Sequence, residues 1–329
     1  MADLNMYNIQ DLSMTPRDNP EWFTRALYGG RLIKGGYIDI VQGVKGEERL
    51  NQIDLTGKVL QADAGDCGWT PEQILKLSEK LAKVKTFKIN LEQCIDALES
   101  RRTLYALSPG ALNDSLPEDL EAATLYILAA ELSNEIEELL VAGDSAANPD
   151  EIDGIYTQLV NSADTIKIEG ETITAANAEE AFREVYAAIP EEVLQSEQAG
   201  TLYMLCSYAT RRVLRLALAN SPSEAQVLGP EFTLDKTDPR NPRMYYLGVE
   251  IVPVKGLDNA TVIAYDKGNI KMLTDLMSDL EYIELGNFPK PNDSKVFIRG
   301  RLRLGVAVLF DEEVVLRYAK PATPPNLES

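Results

Sequence analysis

KVFIRGRLRLGVAVLFDEEVVLRY, residues 295–318, is the stretch on which the fold turns. Through it Arg299, Arg301 and Arg303 alternate with Ile298, Leu302, Leu304, Val306 and Val308. Successive side chains of a strand point to opposite faces, so this spacing predicts a strand with one cationic and one apolar face. Val314 to Tyr318 reads as a second strand, expected to pair with the first across Asp311-Glu312-Glu313. An apolar sheet face must be buried against another element, and the only long element the sequence offers lies far upstream.

That element is a helix expected over 117–142. Ser115 caps it, Pro117 stands in its first turn, and Glu118 and Asp119 suit the positive end of its dipole. Leu125, Leu128, Leu132, Ile136 and Leu139 form one stripe, and Gly143 stops it. About 26 residues at ~1.5 Å each give a rod of ~39 Å, enough to span a domain. Asp144, Asn148, Asp150 and Asp153 follow in a loop. Their spacing does not match a calcium-binding loop, and such residues favour turns, so no metal is expected there.

Residues 1–35 hold Pro16, Pro20 and Gly29-Gly30 and read as an irregular arm. A long hairpin is expected next. Tyr37, Ile38, Ile40, Val41 and Val44 form one arm and Glu47, Glu48 and Arg49 the charged tip. Leu50, Ile53, Leu55, Val59 and Leu60 form the return. About 13 residues per arm would reach ~40 Å. Such a hairpin either extends as an assembly element outside the folding core or folds back as an ordinary edge, and composition leaves both open. Residues 80–90 alternate like a strand and 73–79 stay unassigned. Asn90 is expected to cap a short helix carrying Leu91, Cys94, Ile95 and Leu98 on one face. Helices are expected at 178–188 and 210–219 and strands at 202–206, 245–254 and 261–265. A proline-rich loop is expected at 221–242 and an unstructured tail from Pro321.

Composition narrows the chemistry. The chain has 329 residues and no histidine, which excludes His-based triads, Cys–His pairs and histidine-ligated zinc. Cys67, Cys94 and Cys206 are too few and too dispersed for a four-thiolate site or a disulfide framework. Neither a phosphate-binding GxxxxGK[ST] loop nor a GxGxxG fingerprint occurs. Carboxylate-only hydrolysis stays open in principle, but 52 Asp and Glu residues single out no pair. With a net charge of −20, the surface should repel nucleic acid. No apolar run is long enough to span a membrane, and the N-terminus lacks a signal-peptide pattern.

The order of these elements resembles the major capsid proteins of tailed bacteriophages, the Hong Kong 97-like family. An arm and an extended hairpin (about 36–64) come first, then the strand VKTFKIN (84–90) and the long helix. That helix ends in VAGDSAANPDEIDGI (141–155), with Gly143-Asp144 and Gly154-Ile155 where the family places such pairs. TLYMLCSYATRRVLRLAL (201–218) looks like the central strand and helix of the axial domain. MYYLGVEIVPVKGLDNATVIAYD (244–266) is similar to the strand pair after it, and 295–318 to the closing strands of the peripheral domain. The collinear order across roughly 36–318, rather than any one motif, carries the resemblance.

The resemblance implies an α+β Hong Kong 97-like capsid fold with this organisation: N-arm 1–35, extended loop (E-loop) 36–70, peripheral domain 71–145 with the spine helix 117–142, axial domain 146–294, closing peripheral strands 295–320 and tail 321–329. It implies a non-enzymatic shell subunit, with no catalytic, cofactor-binding or metal-ligating residues. Pentamers and hexamers of the chain would form an icosahedral capsid in the virion, assembled in the host cytoplasm. Portal, scaffold or decoration proteins are the further partners, without sequence-specific nucleic-acid or membrane binding. A nanocompartment shell of the encapsulin type shares the fold and stands as the alternative, with a carboxylate-dependent hydrolase behind it. Glu47, Glu48 and Arg49, and the Arg299, Arg301 and Arg303 face, are the expected inter-subunit contacts, with Asp63 a further acidic partner. Residues 39–58 are expected to be dispensable for folding and needed for closed shells. With so short a prefix before the hairpin, no scaffold is expected within the chain.

Overall fold

The computed structural model describes residues 31–55, 60, 75–94, 131–219, 231–235, 242–275, 284–287 and 295–319. The expected arm up to residue 30, Asp63, Cys67, Ile95, Leu98, helix positions 117–130 and the tail lie outside them.

The chain begins with a helical turn α1 (Arg31–Lys34) and strand β1 (Asp39–Val41), then the paired β2 (Glu47–Leu55) and β3 (Leu75–Lys83). β4 (Lys85–Cys94) and helix α2 (131–142) follow. Next come α3 (Ile155–Asn161), β5 (Ile166–Gly170), α4 (Ala178–Ala187) and α5 (Glu191–Ala199). Then β6 (Leu202–Ser207) leads into α6 (Tyr208–Ala219), followed by β7 (Phe232–Asp235), β8 (Arg243–Tyr246) and β9 (Val249–Val254). β10 (Val262–Asp266), β11 (Ile270–Thr274), β12 (Glu284–Asn287), β13 (Lys295–Val308) and β14 (Val315–Ala319) complete the order.

Two main sheets result. One has the order β5-β14-β10-β6-β9-β8-β7. The other has β1-β11-β13-β12, with β4 also on β13. β13 is the expected alternating strand. Leu302, Leu304, Val306 and Val308 are buried in a core that also takes Ile136, Leu140 and Val141 of α2. Leu205, Ile263, Tyr265 and Leu316 of the seven-stranded sheet join the same core, so it is the junction of both sheets. A second core lies on the other face of the seven-stranded sheet, under Phe182 and Val185 of α4, Val193 of α5 and Leu214 of α6. There Cys206 is buried, and burial pushes its thiol up to about 12, which makes it an inert core residue.

Two short connections, 267–269 and 309–314, carry the chain from one sheet to the other and back. Buried Asn269 joins the crossings. Its Oδ1 accepts from the amides of Leu309 (3.0 Å) and Phe310 (2.7 Å), and its Nδ2 donates to the Phe310 carbonyl at 2.7 Å.

Several expectations are corrected. Val315–Ala319 does not pair with β13. It lies between β10 and β5 in the other sheet, because the chain changes sheets after Val308. A division at 294/295 therefore does not follow the sheets, since β11 and β12 pair with β13. The hairpin is not 37–44 with 50–60. β1 lies parallel to β11 inside the five-stranded sheet, while Glu47–Leu55 pairs with Leu75–Lys83. The arm does not extend to residue 35, for Leu32 and Ile33 are buried in the junction core. There Glu137 of α2 accepts from the backbone amides of Arg31 and, at 3.0 Å, Lys255. The helix expected from Asn90 is strand as far as Cys94, laid against Lys295–Arg299. The loop expected at 221–242 contains strand β7. The strand expected at 245–254 is two, broken at Leu247-Gly248, both left-handed (φ 47° and 92°). Helix 131–142 stops at Gly143, which the chain approaches closely on its return. The Gly154 amide donates to the Gly143 carbonyl at 2.8 Å, and a Cβ on Gly143 would lie 2.4 Å from the Ile152 oxygen.

Replacing Asn269 with Ala strips three hydrogen bonds from half-buried backbone groups. Unfolding in urea should show a loss of about 2–4 kcal/mol; a change below about 0.5 kcal/mol would show that the two crossings hold without it.

Candidate assembly surface

β3 and β4 are one ribbon interrupted only at Val84, whose amide donates to the Gly46 carbonyl at 3.0 Å. The ribbon thus starts in the five-stranded sheet and leaves it as the hairpin β2–β3. Gly305 of β13 permits the departure: a Cβ there would meet the Lys83 carbonyl oxygen at 2.5 Å. The root is held by a small core of Val44, Ala82, Leu273 and Ala307, with Leu50 and Val84 against it.

Antiparallel register sorts the hairpin into two faces. Toward the body lie Leu50 opposite Lys80 and Gln52 opposite Ser78. Gln52 Nε2 donates to the Leu309 carbonyl, and Ser78 Oγ donates to Gln52 Oε1 at 3.1 Å. Lys80 Nζ reaches both oxygens of Asp311 (2.8 and 2.9 Å), and Ser162 Oγ donates to the same carboxylate at 2.9 Å. Away from the body stand Arg49 opposite Leu81, Asn51 opposite Glu79 and Ile53 opposite Leu77. On that face Ile53 is 64% exposed, Leu77 75%, Leu75 57% and Leu81 49%. A two-stranded ribbon with open edges and bare aliphatic side chains is marginal by itself. Covering each of these half-exposed side chains would contribute about 1–2 kcal/mol.

The expected contact residues divide. Glu47, Glu48 and Arg49 are exposed but stand at the root of the hairpin rather than its tip, because the return strand is 75–83. Arg49 pairs with Glu79 at 3.1 Å on an open surface, where such a pair adds little. Arg299 and Arg301 are exposed on β13. Arg303 forms an ion pair with buried Asp275 of its own chain and donates to Thr86 Oγ1 at 3.4 Å, so it is committed within the subunit. No ion pair joins the two sets among the described residues. The acidic loop serves its own turns: Asp144 Oδ1 accepts from the amides of Ala146 and Ala147 (2.9 and 3.2 Å), and Asp153 Oδ1 from that of Ser145 at 3.0 Å. No cluster of metal-binding side chains occurs among the described residues.

Sequence reasoning missed Gln52, Lys80, Asp311 and Ser162. Lys80 and Asp311 are separated by 231 positions, and no local pattern links them. The alternation LKLSEKLAK over 75–83 did carry a signal for the outer leucines.

Exchanging Asp311 for Asn should cost under about 1 kcal/mol overall, since the pair is only part-buried. Hydrogen exchange should nevertheless quicken over 47–55 and 75–83 while β6, β9 and β10 stay protected. Unchanged protection of the hairpin would mean that Lys80–Asp311 does not hold it down.

No protein-family model and no curated protein matches the chain. Its backbone is similar to solved capsid structures. The satellite phage P4 procapsid aligns at TM-score 0.59 and 11% identity, over 92% of both chains. The capsid of an empty GTA particle aligns at 0.57 and 11%, over 88% of this chain and 90% of that one. A virus-like particle from Pyrococcus furiosus aligns at 0.50 and 12%, over 91% and 96%. Two sheets meeting in one core, a projecting two-stranded hairpin and near-complete coverage agree: the chain has the α+β Hong Kong 97-like capsid fold.

Proposed function

We propose that this chain is the major capsid protein of a tailed bacteriophage. Copies assemble into rings of five and six that close as an icosahedral shell around the genome. The observation that carries this reading is the hairpin β2–β3, which holds one face to its own body and leaves Ile53, Leu75, Leu77 and Leu81 bare on the other. In a shell subunit that face is covered by a neighbouring copy. Such contacts join unlike surfaces and so build rings rather than isolated pairs.

In this reading the seven-stranded sheet with α4, α5 and α6 is the axial domain. The five-stranded sheet with α2 is the peripheral domain, and the paired strands 47–55 and 75–83 belong to the extended loop. Glu47, Glu48, Arg49, Arg299 and Arg301 flank subunit contacts. The chain needs no catalytic group or cofactor; it assembles in the host cytoplasm, with portal, scaffold or decoration proteins as its further partners, into the capsid of the virion. An acidic subunit suits a container through which DNA must slide.

Light scattering and negative-stain microscopy of the purified full chain should show rings, shells or tubes. Ile53→Lys with Leu77→Lys should leave circular dichroism unchanged and abolish closed particles. A 36.4 kDa monomer at every concentration and salt would overturn the reading. Particles that carry protein cargo and never DNA would assign the fold to a nanocompartment instead.

A further inference from the structure

Helix α6, YATRRVLRLALA, contains three arginines and no acidic residue in a chain of net charge −20. Leu214 and Ala217 face the core, and Arg211 is buried, donating to the Pro242 carbonyl at 2.5 Å. On the remaining face Tyr208 is 49% and Leu216 55% exposed, with exposed Arg212 and Arg215 beside them; the Tyr208 hydroxyl is engaged by Arg31, which leaves its ring edge to the surface. Among the described residues neither Arg212 nor Arg215 has an ion-pair partner. This is a cationic, part-apolar helix face whose Arg212 and Arg215 have no ion-pair partner among the described residues.

On the same side of the seven-stranded sheet the neighbouring helices have the opposite character. α4 packs over β5, β14 and β10, and α5 over β10 and β6, whereas α6 packs over β6 and β9. Glu180 of α4 and Glu191 and Glu192 of α5 are exposed, and their carboxylates enter no hydrogen bond or ion pair among the described residues. One layer of helices therefore carries acid toward the β5 side and base toward the β9 side. A layer charged in this way is complementary to a second copy rotated beside it, with base meeting acid. That contact is heterologous, and it closes when the rotation completes a ring.

We propose that the α6 face of Tyr208, Arg212, Arg215 and Leu216 docks on the acidic α4–α5 surface of the next copy of this chain and sets the head-to-tail order of the ring. The inference rests on the shell reading and names a contact separate from the hairpin. Tyr208 and Leu216 supply the apolar part of the contact, and the arginines supply its direction.

Charge exchange in the full-length chain tests it. R212E/R215E, and separately E191K/E192K, should raise the concentration needed for assembly about tenfold, with melting by circular dichroism little changed. All four changes in one chain should restore the original threshold, which a folding defect could not do. Should either pair of reversals unfold the subunit, Arg212→Gln with Arg215→Gln should still weaken assembly and flatten its salt dependence. If the unaltered chain assembles and R212E/R215E assembles at the same threshold, this inference falls while the shell reading stands. A folded fourfold variant that stays unassembled overturns the pairing, as do intact R212E/R215E shells that lose DNA, which would turn the face toward the genome. If the unaltered chain never assembles, both fall.

Discussion

The architecture depends on a double crossing held by one buried amide. Leaving β10 the chain passes into β11, and leaving β13 it passes back into β14, so each sheet contains strands from both sides of the exchange. Asn269 satisfies two amides and a carbonyl of the second crossing from a position in the first. The Leu309 amide also donates to the Asn269 backbone carbonyl at 2.9 Å, whereas the Phe310 groups depend on the side-chain amide, and a part-buried backbone group left unpaired costs about 1–3 kcal/mol. Because the crossings are fixed together, the two sheets share one core with α2 laid through it. The angle between the sheets is thereby set by packing rather than by a linker.

That rigidity allows the hairpin to be an appendage. Its root is part of the folding core: β1 is a strand of the five-stranded sheet, and Val44 and Ala82 are buried. Removal of residues 39–58 would therefore cut the sheet as well as the appendage, contrary to what the sequence alone suggested. Among the described residues, Ile53, Leu75 and Leu77 lie beyond the contacts that Gln52 and Ser78 make and are exposed. There an apolar outer face is retained with no covering element among the described residues. A monomer gains nothing from such a face, whereas a subunit with neighbours gains a contact whose direction is fixed by Lys80–Asp311 and the close approach at Gly305.

Much of the fold could be read from the sequence where one face differs from the other. β13 is such a place, as are the apolar strand β6 and helix α4, whose buried Ala181, Phe182 and Val185 recur at helical spacing. Reading failed where pairing is decided at long range. Val315–Ala319 follows β13 closely in sequence but belongs to the other sheet, because the turn at 309–314 changes layers. The hairpin register was displaced because 37–44 and 75–83 both have strand character, and only the β1–β11 pairing removes the first from contention. Leu91 and Cys94 fall at helical spacing by coincidence, and the long partner β13 overrides it. Of the expected contact residues, Glu47, Glu48, Arg49, Arg299 and Arg301 are exposed. Arg303 is claimed by Asp275, a partner that no spacing rule would have found.

In the proposed shell, another copy of the chain covers the outer face of β2–β3. A cryo-electron microscopy map of particles assembled from the full-length protein tests it directly. Density of a neighbouring subunit should pack on Ile53 and Leu77, while β13 and the crossing at Asn269 keep their pairing. Closed particles in which that face points to solvent in every subunit would contradict it.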